Sequence, residues 1–186
     1  MVNKLTVDVL EPFLTKPNEK LHLAQISRET KTPHPTARLW LNELEKEGIL
    51  RKDFQGRLTL YSLNLDSPLL IDYLTIAEKK KLIRKCKESL ILKEINRELK
   101  EALGPKTLGL IFGSAAEKIE DAKDVDLLII GKQELKIVKQ IERKINKQLH
   151  IISVYSTNQL TKTFKEEIIK KHLLIQGSEE ILKWLI

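Results

Sequence analysis

Leu108-Gly109-Leu110-Ile111-Phe112-Gly113-Ser114 and, after a polar spacer, Asp124-Val125-Asp126-Leu127-Leu128-Ile129-Ile130 are the stretches whose reading decides the fold. An apolar run ends in Gly-Ser, and a second apolar run opens with two carboxylates at i and i+2. In a strand those positions share a face. The pattern therefore predicts strands over 107–112 and 124–130, with Asp124 and Asp126 projecting together. Two like charges side by side repel, and such a pair is suited to one or two divalent cations. Gly113 lets the backbone turn tightly, and Ser114 opens the next helix with a hydroxyl and free N–H groups that suit a phosphate.

Strand and helix alternate around this unit. Ser67-Pro68 opens a helical stretch from Leu69 to Leu103, long enough to require a break near Lys85 to Ser89. Its second half carries Leu90, Ile91, Ile95 and Leu99, and Gly104-Pro105 stops it. Beyond the aspartates the spacing predicts a helix over 133–147 on Leu135, Val138, Ile141 and Ile145, then a strand over 149–154. A helix from Asn158 to Lys171 capped by Ser156 or Thr157, a short apolar segment over 173–175 and a closing helix over 179–185 follow.

The first third of the chain has a different rhythm. A helical stripe of Leu5, Val9, Leu10 and Phe13 precedes a break at Pro17-Asn18. A short helix over 23–29 turns Leu23, Ala24 and Ile26 inward, and a third helix from Pro35 to Glu47 buries Ala37, Leu41 and Leu44. Runs at 49–52 and 57–63 make a hairpin around Asp53-Phe54-Gln55-Gly56. With the buried face of the third helix so fixed, Thr36, Arg38, Leu39, Asn42 and Glu45 point outward.

Composition narrows the classes. A chain of 186 residues, 32% charged and 41% hydrophobic, has room for one ordinary domain or two small ones. No run of 18 apolar residues occurs and the N-terminus lacks a signal pattern, so the expected location is cytoplasmic, with no membrane partner. Cys86 is the single cysteine, which excludes an intrachain disulfide. A formal net charge of +7 favours acidic partners such as nucleotides or nucleic acid. A Rossmann dehydrogenase is a poor fit, because no Gly-x-Gly-x-x-Gly occurs.

Two resemblances follow from these residues. The segment 41–52, Leu-Asn-Glu-Leu-Glu-Lys-Glu-Gly-Ile-Leu-Arg-Lys, is similar to the recognition helix and first wing strand of many archaeal and bacterial winged-helix regulators. That likeness implies a DNA-binding domain, with Thr36, Arg38 and Asn42 toward the bases and Arg51, Lys52 and Arg57 toward phosphates. Gly113-Ser114 followed by Asp124-x-Asp126 resembles the signature of the polymerase β-like nucleotidyltransferase superfamily, most closely its minimal members. The joint expectation is an α+β or α/β chain. It comprises an N-terminal winged helix-turn-helix domain over 1–66, a helical linker over 67–87 and a nucleotidyltransferase-like mixed sheet with flanking helices over 88–186.

The second resemblance implies a metal-dependent transfer of a nucleoside monophosphate from a triphosphate to an acceptor hydroxyl. Asp124 and Asp126 would hold Mg2+ or Mn2+, and Gly113, Ser114 and Lys118 would contact the nucleotide. Minimal members are often antitoxins that modify a partner toxin. A protein acceptor, an RNA end, a small molecule and a homodimer all stay open as partners. The chain departs from the family at two points. His150 occupies the position of the third carboxylate, and Ala116-Glu117-Lys118 stands where an arginine is common. Either His150 serves in catalysis, or Glu117, Glu120 or Asp121 folds back to supply the acid, or the domain binds nucleotide without turning it over. The last case is a winged-helix regulator with a degenerate transferase fold used for sensing or dimerisation.

Overall fold

The computed structural model describes residues 6–131 and 138–186. The chain divides into two compact units, one ending at Glu78 and the other running from Lys79 to Leu185.

In the first unit a 3-10 turn, Thr6–Leu10, runs into α1 (Glu11–Thr15), with Pro12 in its opening turn. A short strand β1 (Leu21–His22) leads to α2 (Leu23–Glu29) and α3 (His34–Lys46), followed by β2 (Leu50–Gln55) and β3 (Leu58–Leu63). The sheet order is β1-β3-β2, all antiparallel, with Leu21 opposite Tyr61 and Leu50 opposite Leu63. Val9, Leu10, Phe13, Ile26, Ala37, Leu41, Leu44, Ile49 and Tyr61 form its core. Leu23 and Ile26 are buried as expected, but Ala24 is exposed. On so short a helix the Leu23–Ile26 ridge fills the inner face, and the next position rotates about 100° away from it. β1 has only two residues, too few for any strand period to show in the sequence.

The long helical stretch is split as α4 (Leu70–Glu88) and α5 (Leu90–Ala102). The break falls at Ser89, whose hydroxyl accepts from the Leu92 N–H at 3.1 Å and so starts a new helix. The boundary between the units lies inside α4. The helix that the sequence assigns to a linker over 67–87 thus gives Leu70, Tyr73 and Leu74 to the first unit and Leu82 to the core of the second. In α5 the buried stripe is Leu92, Ile95 and Leu99, while Leu90 is 83% exposed. Leu90 sits two positions before Leu92, about 200° around the helix from the inward stripe.

The second unit continues with β4 (Leu108–Phe112), α6 (Ser114–Glu117), β5 (Asp124–Ile130), α7 (Val138–Ile145) and β6 (Gln148–Val154). A 3-10 turn (Thr157–Gln159), α8 (Lys162–Lys170), β7 (His172–Gln176) and α9 (Ser178–Leu185) complete it. The mixed sheet has the order β6-β5-β4-β7, with β5 and β6 parallel and the other pairs antiparallel. Of the stripe expected over 133–147, Leu135 and the Val138 side chain lie outside the described residues, and Ile141 and Ile145 are buried. The helix expected from Asn158 starts only at Lys162. Thr161, not Ser156 or Thr157, caps it by accepting from the Phe164 N–H at 3.2 Å. Upstream, the Gln159 side chain takes the N–H groups of Tyr155 and Ser156, which closes a separate turn.

The two faces of this sheet differ. Ile111, Val125, Leu127, Leu149, Leu173 and Ile175 join Leu92, Ile95 and Leu99 of α5 and Ile141 of α7 in one buried cluster. On the opposite face α9 packs on β4 and β7, and Phe164 of α8 meets Phe112 edge to face with ring centres 5.3 Å apart. Toward β6 this second face opens. His150 and Ile152 are exposed, and Asp124 and Asp126 are half-buried beside them.

Candidate functional site

Three adjacent strands carry one row of paired residues. Phe112 of β4 stands opposite Asp126 of β5, and Asp126 stands opposite His150 of β6. Cross-strand partners share a face at Cβ separations near 5 Å. Asp124, two residues before Asp126, projects on that same face. The His150 Nδ1 lies 3.3 Å from Asp124 Oδ2 and 3.6 Å from Asp126 Oδ1. Among the described residues these three make the one group of ligand-type side chains close enough to share a cation, with donor atoms within 4.8 Å of one another.

Gly113 closes the site from the β4 side. Its backbone is at φ 70° and ψ −149°, a region that side-chain-bearing residues avoid at a cost of about 1–3 kcal/mol. A Cβ there would come within 3.1 Å of Asp126 Oδ2. The turn therefore favours glycine, and a side chain there would also crowd the carboxylate beside it. The turn is held by the Gly113 N–H, which donates to the Lys171 carbonyl at 3.1 Å. Ser114 follows at the start of α6 with its side chain exposed.

The loop acids considered from sequence are committed elsewhere. Glu117 pairs with Lys171 at 2.8 Å. The Ser89 hydroxyl donates to Glu120 and, against some burial, holds its carboxyl below the usual range. Asp121 pairs with Lys118 at 2.8 Å, and this contact raises the Lys118 ammonium above its ordinary value. Lys118 is therefore engaged within its own loop. Glu142 of α7 accepts from the Leu149 N–H at 2.8 Å and fixes the start of β6 one residue from His150. Glu134 lies outside the described residues.

Two residues that the sequence did not single out bear on the site. Lys171 carries the carbonyl that holds Gly113 and places its own ammonium on Glu117, at the end of α6. Glu142 anchors the strand that carries His150. No linear spacing points to either, because both act through tertiary hydrogen bonds. A cleft of about 410 Å³ lined by Lys85, Ser89, Leu92, Ile119 and Glu120, among others, includes none of Gly113, Ser114, Asp124, Asp126 or His150.

In the first unit the residues expected to contact DNA divide into two sets. Arg38 and Arg57 are exposed, and Thr36 is half-buried. Asn42 Oδ1 instead accepts from Lys52 Nζ at 2.8 Å and from the Tyr61 hydroxyl at 3.0 Å. Arg51 is tied to Asp66 and to Asn64. Leu39 and Phe54 are 57% and 73% exposed. No protein-family model, characterised protein or solved structure matches the chain. No described helix is long and apolar enough to cross a membrane.

Proposed function

We propose that the second unit is a metal-dependent nucleotidyltransferase, joining a nucleoside monophosphate to an acceptor hydroxyl and releasing pyrophosphate. The observation that carries this reading is the placement of Asp124 and Asp126 on one strand face, against a Gly113-Ser114 turn in a conformation that favours glycine and in close contact with Asp126. Two half-buried carboxylates faced among the described residues by an imidazole, and by no lysine or arginine, form a donor set suited to a divalent cation. An ion held by Asp124 and Asp126 would supply Lewis-acid charge to the phosphoryl oxygens of the reacting triphosphate.

The chain's own residues then have distinct tasks. Asp124 and Asp126 hold the cation. The Gly113 N–H is held by the Lys171 carbonyl, so across this turn Ser114 offers its backbone N–H and hydroxyl to the outer phosphates. The acceptor hydroxyl oxygen forms the new bond to the α-phosphorus and gives up its proton to water, and the bond from that phosphorus to the β-phosphate bridge breaks, with pyrophosphate leaving. Incubation with α-labelled nucleoside triphosphates and candidate acceptors, the chain itself included, tests this. Label on an acceptor, lost in Asp126→Asn, supports the transferase; nucleotide binding without label supports a non-catalytic sensor. The sensor reading is favoured by one observation, namely that a histidine occupies the third position and the nearby loop acids are engaged elsewhere.

For the first unit we infer a winged-helix DNA-binding module, supported by the order of helices and hairpin and by the exposed Arg38 and Arg57. Salt-dependent binding to duplex DNA, weakened in Arg38→Ala, tests it. A fused DNA-binding module and transferase would suit an antitoxin-like regulator of its own expression.

A further inference from the structure

We propose that the ion of this site is a divalent transition metal of the Mn2+, Co2+ or Zn2+ class, bound by Asp124, Asp126 and the His150 imidazole, and that Mg2+ is disfavoured. This rests on the reading of the two aspartates as metal ligands and goes beyond it to the identity of the ion.

The geometry favours His150 as a direct ligand. Its Nδ1 faces both carboxylates, at 3.3 and 3.6 Å. Ligand atoms on opposite sides of one cation at bond lengths near 2.1 Å lie about 4.2 Å apart, and adjacent ones about 3 Å apart. Both observed separations fall within that span. The position is structurally fixed as well. β6 runs parallel to β5 with His150 in register with Asp126, and Glu142 pins the neighbouring Leu149 N–H. The backbone that carries His150 is therefore fixed beside the acids, with the imidazole directed at both carboxylates.

The chemistry of the donor set then selects the metal. Mg2+ binds oxygen, keeps much of its water and gains most from carboxylate charge. Two carboxylates and an imidazole supply one negative charge fewer than three carboxylates. The nitrogen donor suits borderline ions, whose affinity for such sites rises from Mn2+ through Co2+. None of the loop acids makes up the missing charge, since Glu117, Glu120 and Asp121 are bonded to Lys171, Ser89 and Lys118.

The test uses the full chain with metal alone and no nucleotide. Mn2+, Co2+ and Mg2+ affinities are measured by calorimetry and competition for wild type, His150→Ala, His150→Asp and Asp126→Asn. Spin-echo modulation of bound Mn2+ reports whether a nitrogen is coordinated. Wild type should bind Mn2+ and Co2+ at least ~10-fold more tightly than Mg2+, with nitrogen coupling on Mn2+. His150→Asp should narrow that ratio about tenfold and abolish the nitrogen signal while Mn2+ still binds. Equal affinities for Mn2+ and Mg2+, lost in Asp126→Asn but untouched in His150→Ala, would overturn the assignment of His150 and leave the aspartate site standing. Metal binding that Asp126→Asn leaves unchanged would overturn both. Retention of the nitrogen signal in His150→Asp would place the ion elsewhere and overturn the proposal.

Discussion

Two sets of polar side chains, one in each unit, are disposed in opposite ways. Beside α3 and the β2–β3 hairpin, Asn42 serves Lys52 and Tyr61, and Arg51 serves Asp66 and Asn64. At the open edge of the second sheet, Asp124 and Asp126 repel each other and have only His150 as an ionic neighbour among the described residues. Groups that satisfy each other stabilise the fold. Groups that do not, yet are held in place by strands on both sides, are the ones on which the proposed cation site rests. The lesson is that exposure alone does not identify a site; the imbalance of its charges does.

Substitution on the two faces of β5 gives the largest separation. Leu127 is 1% exposed and packs in the core cluster, so Leu127→Ala should lower unfolding free energy by about 2–5 kcal/mol in denaturant titrations. Asp126→Asn, one residue away on the other face, should unfold within about 1 kcal/mol of wild type, or above it, because it removes a like-charge repulsion. An Asp126→Asn chain as unstable as Leu127→Ala would show that the carboxylate is structural and would break the contrast.

Gly113 joins both roles, so its replacement should move both readouts. Gly113→Ala should cost about 1–3 kcal/mol in stability from its backbone conformation, and also push against Asp126 Oδ2. Thermal unfolding together with metal titration checks this. Loss of stability with metal affinity intact would separate the turn from the site.

In the first unit Asn42→Ala should lower stability by about 1–3 kcal/mol, since the Tyr61 hydroxyl loses its acceptor. Arg38→Ala should leave unfolding within about 0.5 kcal/mol while reducing the salt slope of DNA binding by about one. If Asn42→Ala instead leaves stability unchanged and alters only DNA binding, the assignment of Asn42 to the fold fails.

A separate effect lies at high pH. Burial raises the Tyr73 hydroxyl to about 12, helped by its hydrogen bond to Glu47, from an ordinary value of 10.0. The protonated phenol is the favoured folded form, so this stability is fully present below pH 10 and is lost as pH rises through about 12. Tyr73→Phe should remove that alkaline decline, as seen in unfolding measured across the window. An unchanged decline would assign it to other groups.

The legible parts of the sequence were those with a local period. The apolar runs around Gly113-Ser114 and Asp124-x-Asp126 predicted β4 and β5, and the alternation after residue 148 put His150 on a strand. Ala37, Leu41 and Leu44 showed the inner face of α3. Contacts between distant residues left no such trace. Glu142 on the Leu149 N–H, Ser89 on Glu120 and Lys52 on Asn42 each depend on how elements pack. Caps failed for a related reason: Ser156, Thr157 and Thr161 are chemically interchangeable, and the competing Gln159 turn decided which one starts α8.

The most direct test of the metal-dependent triphosphate site, on which the transferase reading rests, is calorimetric titration of ATP, GTP, CTP and UTP, with Mn2+ or Mg2+, into wild type and an Asp124→Asn/Asp126→Asn variant. Wild type should bind at least one triphosphate in a metal-dependent manner, weakened at least ~100-fold in the folded variant. Absence of binding by folded wild type, or binding that the variant retains in full, would contradict it.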